Sequence, residues 1–492
     1  MKKRPIWMIC LAAAFFVSIV LIRKIDDMEF HGLRVMSEER LNKLTEGLTK
    51  VDDPQNVEEL IRLDDKRVPY VRNDNTFYVS QSIQGKAYAG TFRAQGDNCR
   101  IYLQEDAVLE DKQTVLAQGR QFTLWFVTGE SYTTAQLIFT GLPVVCISTE
   151  DGALTQSYER GSLVVHNPDD DDVITMSVKK SDLEARVNPD SGTISFKLYK
   201  NDYAEERDLS LLGLGKRTSW KLYPVCEDDK TSVGEMLASY VWNSVCGNQD
   251  LQRGMEYAEL IVDGEYMGLY YLAPKIGKGF LKLEDADRAY DMEDLAEDGT
   301  KLYTVIGDQD TPENRMALEQ YESLWEEGNT DFSQIDADNY INYHIYLQAA
   351  CAVQNSMKAY CVIAREDNGT YQFSKMPQRS KFVFGQYPAR IGWQSLFATE
   401  NVMEDAEYAM VAEQTEGMAA ATAGRWQDLR KEVLSTDSLL KTAHLCEQRL
   451  ADSGYIVREE EPEAYAAACD ALHTMIAGRM EHLDGYYNDG VR

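Results

Sequence analysis

Residues 257–272, YAELIVDGEYMGLYYL, have the sequence pattern of a tight β-hairpin, and this pattern constrains the fold of the chain more than any other. Two runs rich in aromatic and β-branched residues flank the dipeptide Asp263-Gly264. An Asp-Gly pair favours the two-residue turn whose twist matches that of paired antiparallel strands. The segment therefore predicts two adjacent strands joined by a turn at 263–264.

The patterns on either side of this hairpin differ. Short alternating runs punctuated by Gly, Asp and Asn fill the chain from about Asn73 to Ile147, and they predict a small antiparallel β module, assigned to residues 73–165. Helical patterns dominate afterwards: residues 336–354 with Asp336 or Asp338 as N-cap, residues 436–454 ending at Gly454, and a final helix from about 463 to 486. This order predicts an α+β fold with a mixed sheet packed against helices.

The N-terminus carries a membrane-type segment. Lys2, Lys3 and Arg4 precede the uncharged run Pro5–Ile22, which has 18 residues and is followed directly by Arg23. A bilayer-spanning helix needs about 20 apolar residues. The interpretation is a cytoplasmic tail at 1–4, an uncleaved transmembrane anchor at 5–22 and a stalk at 23–72, with a cleaved signal peptide as the alternative. The predicted location is the cell membrane, crossed once, with the C-terminal bulk extracytoplasmic.

The charge balance excludes one class of partner. The chain of 492 residues has 50 Lys and Arg against 81 Asp and Glu, a net charge of −31. Nucleic-acid binding requires a clustered basic surface, so nucleic acid is excluded as a partner. Membrane contact through the N-terminal segment and a secreted or envelope protein remain the expected partners.

Cysteine and histidine spacing gives no metal or redox motif. The nine cysteines are widely spaced with no CxxC pair, and they are equally compatible with disulfides and with buried thiols. The six histidines are scattered without an HExxH motif, and each is interpreted as a structural or surface residue. The Gly213–Lys216 stretch lacks Walker spacing, and no GxSxG motif is present.

Three segments resemble the family of spore-coat CotH kinases. Residues 209–243 contain Gly-Leu-Gly, Trp-x-Leu and a Thr-Ser turn before a helix, and the hairpin segment VDGEYMGLYYL resembles the family's most recognisable motif. Residues 339–373 resemble the helix, loop and strand that follow it, and the similarity extends over roughly 140–487. The resemblance implies an atypical protein-kinase-like domain with two lobes at 166–492, and phosphate transfer from ATP with Mg²⁺ or Mn²⁺ to serine residues of secreted proteins.

The positions that carry catalysis in this family are altered. Pro274 stands where the family has a glutamate, and Asn355 and Ala359 replace the catalytic Asp and the metal-binding Asn. Gln386 and Pro388 stand where the two metal-binding aspartates align. An Asn cannot accept the hydroxyl proton, and an Ala cannot ligate a metal ion.

A few other residues are candidates for the missing roles. The family's phosphate-binding lysine has Lys197 or Lys200 as its nearest equivalent. Acidic residues that could replace the lost ligands are listed here: Asp228, Asp229, Asp308 and Asp310. The first two lie in a turn typical of the family, which gives them a purely structural alternative.

These departures predict a degenerate, pseudokinase-like member of the CotH family. Its expected role is a binding or scaffold component of the cell envelope or spore coat, without a tightly bound cofactor. One alternative is an active secretory Ser/Thr kinase that uses ATP with Mg²⁺ or Mn²⁺. Another is an adhesion protein whose β module binds cell-wall glycan.

Overall fold

The computed structural model describes residues 29–52, 57–81, 90–96, 98–104, 118–167, 177–295, 301–307, 311–357, 360–386 and 398–488. The anchor predicted at 5–22 lies outside these residues. Among the residues described, none of the helices combines the length and the apolar character needed to traverse a bilayer.

The first part of the chain folds as a mixed sheet. Its strands and its one described helix are β1 (Glu29–Phe30), β2 (Leu33–Met36), α1 (Glu38–Leu44), β3 (Thr49–Lys50), β4 (Ile61–Leu63), β5 (Lys66–Arg67), β6 (Tyr70–Val71), β7 (Thr76–Ser80), β8 (Phe92–Ala94), β9 (Arg100–Gln104), β10 (Gln121–Val127) and β11 (Ser131–Thr140). The main sheet has the order β1-β2-β9-β10-β11-β7-β6, with β3 beside β11, while β5-β4-β8 form a small second sheet. Its core includes Phe77, Leu103, Leu124 and Leu137.

The prediction of a small antiparallel module is wrong for this region. Strand β2 runs parallel to β9, and β7 runs parallel to β11. Strands from residues 29–71, which were assigned to a stalk, pair within the same sheets. Alternating patterns reveal strands but not their partners, because parallel neighbours can be distant in sequence.

The next strands close on themselves. The ring strands are β12 (Val144–Thr149), β13 (Glu159–Asn167), β14 (Ser177–Val187), β15 (Ile194–Lys200), β19 (Ser219–Pro224), β20 (Glu256–Val262) and β21 (Glu265–Pro274). Between β15 and β19 the chain adds β16 (Glu205–Glu206), which pairs with β15 alone, and β17 (Leu209–Ser210) with β18 (Lys216–Arg217), which form a separate pair. The order is β14-β13-β12-β20-β21-β19-β15, and β14 pairs back to β15, which gives a closed ring. Alternate residues such as Phe196, Trp220 and Leu272 fill its interior.

The predicted hairpin is confirmed as β20 and β21. Asp263 and Gly264 have φ values of 50° and 84°, as the tight turn requires. The Asp263 carboxylate accepts hydrogen bonds from the backbone N–H and the hydroxyl of Thr149, at 2.6 Å and 2.9 Å. These hydrogen bonds connect the turn to the end of β12, which runs parallel to β20.

The remaining chain forms most of the helices and a four-stranded sheet, which we call the third sheet. The sheet has the order β23-β22-β24-β25 and consists of β22 (Arg288–Leu295), β23 (Lys301–Val305), β24 (Tyr360–Asp367) and β25 (Thr370–Pro377). The helices are α2 (Gly234–Val245), α3 (Lys278–Leu281), α4 (Pro312–Ser323), α5 (Ala337–Ala350), α6 (Val353–Met357), α7 (Ala406–Gln414), α8 (Met418–Arg430), α9 (Thr436–Asp452), α10 (Tyr455–Glu459) and α11 (Pro462–Asn488). The helices predicted at 336–354, 436–454 and 463–486 are confirmed as α5, α9 and α11, with Asp336 capping α5.

The predicted protein-kinase-like arrangement of two lobes is wrong. Strands β12, β13, β14, β15, β19, β20 and β21 close into a ring instead of forming the open sheet of a kinase lobe. One apolar core then joins the outer face of this ring, through Tyr223 and Tyr271, to the third sheet and to the helices. The sequence pattern indicated the order of strands and helices but did not specify the long-range pairing of β12 with β20, which is needed for the ring to form.

Candidate anion-binding site

Three lysines share the outer face of the ring on adjacent strands. Lys197 of β15 pairs with Ser219 of β19, whose carbonyl accepts a hydrogen bond of 3.1 Å from the backbone N–H of Lys275. Lys221 lies two residues after Ser219 and therefore points to the same side. The ammonium of Lys197 forms an ion pair with Glu206, so it is already neutralised within the sheet.

Arg253 brings a guanidinium beneath these strands. It follows a 3-10 turn at Gln249–Leu251 and is 5% exposed. Its Nε donates to the Pro274 carbonyl at 2.8 Å, its Nη1 to the Gln378 carbonyl at 2.7 Å, and its Nη2 to the Tyr223 hydroxyl at 2.8 Å. Arg253 thereby fixes the end of β21 to the segment that follows β25.

Arg379 supplies a second guanidinium from that segment. Its Nε and Nη2 each donate to the Glu235 carboxylate of α2 at 2.7 Å, and its guanidinium lies 4.9 Å from the centre of the Tyr223 ring. Its Nη1 is buried and has no hydrogen-bond partner among the described residues. A buried N–H without an acceptor is costly, so this atom marks a position where an acceptor is expected.

The electrostatics around Tyr223 are strongly positive. Burial favours the neutral phenol, yet the charges of Arg253, Lys221 and Arg379 outweigh it and lower the pKa of Tyr223 below its usual value. Burial, assisted by the charge of Arg379, lowers the pKa of Lys381. The Tyr223 shift has the sign expected beside several positive charges, and the Lys381 shift has the sign expected for a buried amine near a guanidinium. We call Lys221, Arg253, Lys275, Arg379 and Lys381 the cationic cluster.

One carboxylate faces this cluster from the third sheet. Burial raises the pKa of Asp291 on β22, although Lys221, Arg253 and Lys275 act in the opposite direction. The Cys361 thiol donates a hydrogen bond of 2.8 Å to it. Asp291 and Glu235 offset part of the cluster's charge, and five cations against these two carboxylates leave a positive surplus.

This arrangement is suited to holding an anion. Lys221, Lys275 and Lys381 are half-buried, so they are partly shielded from water yet reachable from solvent, whereas the Arg379 side chain is only 10% exposed and lies deeper. Hydrogen bonds from charged donors to phosphate or carboxylate oxygens are about twice as strong as neutral ones. In a chain with a net charge of −31, such a concentration of cations is the site most compatible with a negatively charged ligand.

Some of the residues predicted from the sequence lie beside this cluster. Pro274 accepts the Arg253 bond through its carbonyl. Asn355 is 1% exposed; its amide donates to the Arg379 carbonyl at 3.3 Å and accepts from the Tyr346 hydroxyl at 3.2 Å. Gln386 is half-buried and its backbone N–H donates to the Val383 carbonyl at 2.9 Å. Pro274 and Asn355 therefore serve the framework of the site.

The two adjacent aspartates behave differently. Asp229 is buried, and its carboxylate accepts from the backbone N–H and hydroxyl of Thr231 and from the backbone N–H of Gly234, where α2 begins. Burial raises its pKa in spite of these hydrogen bonds. Asp228 is half-buried in the same turn. Asp229 therefore has a structural role: its carboxylate holds the turn at 229–234 that leads into α2.

Four predicted positions cannot be placed. Ala359, Pro388, Asp308 and Asp310 lie outside the described residues. Lys197 shares the face of the cluster but is bound by Glu206, as described above.

Sequence reasoning missed Arg253, Glu235 and Arg379. The usable indication was the sequence Gln-Arg-Ser-Lys at 378–381, which places two cations within three residues of an acidic chain. Arg253 carries no comparable indication, because its role depends on a fold that brings residues 253, 274 and 378 together.

Comparison with known proteins adds no family. None of the protein-family models matches this chain, and the curated proteins contain no significant match to it. The resemblance to the CotH family therefore stays a prediction based on the sequence.

Proposed function

We propose that this chain is a non-catalytic binding protein that holds a phosphate-bearing ligand at the cationic cluster. The observation that carries the proposal is the buried Nη1 of Arg379, which lacks an acceptor among the described residues and lies within a positive environment. The ligand supplies the missing acceptor oxygen, and the neighbouring ammonium groups neutralise its charge.

A phosphate group fits this set of donors better than a single carboxylate. Lys221, Lys275 and Lys381 act as separate point charges on different segments, and Arg379 adds one directed N–H. A phosphate monoester has a charge of about −1.5 to −2 at neutral pH and three strong acceptor oxygens. Several oxygens are needed to engage donors that arrive from several directions.

The proposal includes the absence of catalysis, because the polar side chains near the cluster already form hydrogen bonds within the protein. Asn355 is occupied by internal hydrogen bonds, and the Asp229 carboxylate is occupied by the N–H groups of the turn before α2. Asp291 accepts a hydrogen bond from the Cys361 thiol and faces the lysines and arginines of the cluster, so its carboxylate is already engaged by groups of the protein.

The cellular setting is a proposal of the same kind. A binding or scaffold role outside the cytoplasm, in the cell envelope or spore coat, is supported by the N-terminal sequence and by the resemblance to the CotH family. A secreted or envelope protein that carries phosphate would present the same ligand chemistry as a small phosphate compound.

The test is calorimetric titration of the full chain with pyrophosphate, and with ATP in the presence and absence of Mg²⁺. We expect saturable binding to one site, accompanied by a rise in melting temperature as the ligand concentration passes the dissociation constant. Lys221→Gln and Lys381→Gln each remove one charged donor worth about 1.5 to 3 kcal/mol, so each should weaken binding by roughly 10-fold or more.

Lys200→Gln is the matched control. Lys200 lies on β15, and its half-exposed ammonium pairs with Glu205 at 2.7 Å, away from the cluster. Its substitution should leave pyrophosphate affinity unchanged. Absence of binding at millimolar pyrophosphate, or equal affinity in all three variants, contradicts the binding proposal. Transfer of the ATP γ-phosphate to protein contradicts its non-catalytic part.

A further inference from the structure

A second cluster of chemistry-bearing side chains lies on the C-terminal helices. His444 and Glu447 are three residues apart on α9 and so share one face of that helix. His473 lies on α11, which packs against α9 through residues such as Leu439, Leu450 and Leu472. Two parts of the chain thus converge on one position.

The ligand atoms of these three residues are close together. Nδ1 of His444 lies 3.0 Å from one Glu447 carboxylate oxygen, and Nε2 of His473 lies 2.6 Å from the other. All three ligand atoms lie within 4.8 Å of one another, and the two imidazole centres are 4.3 Å apart. Ligand atoms around tetrahedral Zn²⁺ are separated by roughly 3.3 Å, so small side-chain rotations suffice to enclose an ion.

The surroundings allow an ion to enter. The side chain of His444 is 60% exposed, that of His473 20% and that of Glu447 13%. The cluster is therefore open to solvent on one side and supported by packed helices on the other. Cys469 lies one helical turn before His473, on the buried side, and its thiol contacts Glu447.

The chemistry of the donors selects the class of metal. Two imidazoles with one carboxylate suit Zn²⁺ and related transition metals, whereas Ca²⁺ and Mg²⁺ prefer oxygen ligands alone. Three protein ligands and a solvent-facing fourth position are also the pattern of zinc sites that keep an open coordination position.

We infer that His444, Glu447 and His473 form a Zn²⁺-binding site that links α9 to α11, with water as the fourth ligand. The helices already pack through their apolar faces, so the ion adds a second connection to a preformed site. This site is independent of the cationic cluster, whose residues lie on β19, just before β20, just after β21 and in the segment after β25.

The test is titration of the full, metal-stripped chain with Zn²⁺ against a chromophoric chelator, together with thermal unfolding. We expect one equivalent of Zn²⁺ to bind and the melting temperature to rise with it. His444→Gln, Glu447→Gln and His473→Gln should each weaken Zn²⁺ binding at least ~10-fold, because loss of even a supporting group costs 10- to 100-fold. Co²⁺ in place of Zn²⁺ should give the absorption of a tetrahedral N/O site.

Two matched variants make the result decisive. His482→Gln removes a histidine of the same helix outside the cluster, and Cys469→Ala removes the nearby thiol. Both should retain the affinity of the unaltered chain. Absence of Zn²⁺ binding overturns the inference, as does equal affinity in His444→Gln and His482→Gln. A thiolate-to-metal band with Co²⁺ that disappears in Cys469→Ala overturns the proposed ligand set.

Discussion

Charged side chains placed in the apolar interior show how single residues shape this protein. Lys375 is 3% exposed, forms an ion pair with Glu407, and lies within 5.3 Å of the ring centres of Tyr340, Tyr343 and Tyr360. A buried charge is tolerated only when partners of this kind replace its water. Arg379 meets the same requirement with Glu235, but its Nη1 has no hydrogen-bond acceptor among the described residues.

A buried histidine makes stability depend on pH. His166 on β13 is 2% exposed, and burial, together with the charges of Lys66 and Lys180, lowers its pKa to about 3. In the unfolded chain its pKa returns to about 6.5, so only the unfolded state takes up a proton below that pH. Above about pH 6.5 the free energy of unfolding is therefore unaffected by His166. Below that pH, protonation of His166 in the unfolded chain lowers the free energy of unfolding, progressively down to about pH 3.

The expected size of this effect can be measured by substitution. Between about pH 6 and about pH 5, the unaltered chain should lose about 1 kcal/mol more unfolding free energy than His166→Gln. Urea unfolding at both pH values gives the difference directly, since other titrating groups affect both proteins equally. Identical pH slopes would show that His166 does not carry this dependence.

At the scale of secondary structure, substitution of Asp229, in the turn before α2, tests whether this residue serves stability or ligand binding. Leaving a buried N–H group without its acceptor costs about 1 to 3 kcal/mol. We expect Asp229→Ala to lose about 1 to 3 kcal/mol of unfolding free energy, because the N–H groups of Thr231 and Gly234 lose their acceptor, and Asp229→Asn to lose less, because its one amide oxygen still serves one of them. Pyrophosphate affinity should stay within about twofold in both, since Asp229 is not part of the cationic cluster.

Asp228→Asn provides the neighbouring control, because Asp228 is half-buried and lies in the same turn. Its unfolding free energy should change by no more than about 0.5 kcal/mol. Urea unfolding and calorimetric titration read the two properties separately. If Asp229→Asn abolished pyrophosphate binding while leaving stability unchanged, Asp229 would belong to the ligand site.

The sequence predicted individual elements better than their assembly. The Asp263-Gly264 turn and the Asp336 cap are local devices, in which residues a few positions apart fix the backbone, so sequence alone identifies them. The pairing of β12 with β20 and the meeting of Arg253 with Gln378 depend on contacts across more than 100 residues. No local pattern encodes such contacts.

The same distinction explains the two candidate sites. His444 and Glu447 are visible as a helical pair, but His473 joins them only because α9 and α11 pack together. In the cationic cluster, the sequence analysis identified neither Arg379 nor Arg253, because their roles depend on segments that meet only in the fold. A site assembled from several elements is therefore predictable only once the topology is known.

At the scale of the whole molecule, one ion pair joins the three parts of the structure. Arg458 of α10 contacts Glu259 of β20 at 2.7 Å, and both side chains are buried, at 4% and 0% exposure. The same guanidinium donates to Thr140 of β11 at 3.4 Å and lies 5.8 Å from the Tyr78 ring centre. The first sheet, the ring and the C-terminal helices thus share a single charged contact.

We therefore expect Arg458→Met to destabilise the whole molecule. Loss of Arg458 leaves the Glu259 carboxylate buried without its counter-charge, which costs about 3 to 5 kcal/mol. The double variant Arg458→Met with Glu259→Gln should lose less than the sum of the two single changes, because the residues are in contact.

Lys431→Met is the control: its pair with Asp428 is about 70% exposed and should contribute less than about 1 kcal/mol. A loss below about 1 kcal/mol for Arg458→Met in urea unfolding would show that apolar packing alone holds the three parts together.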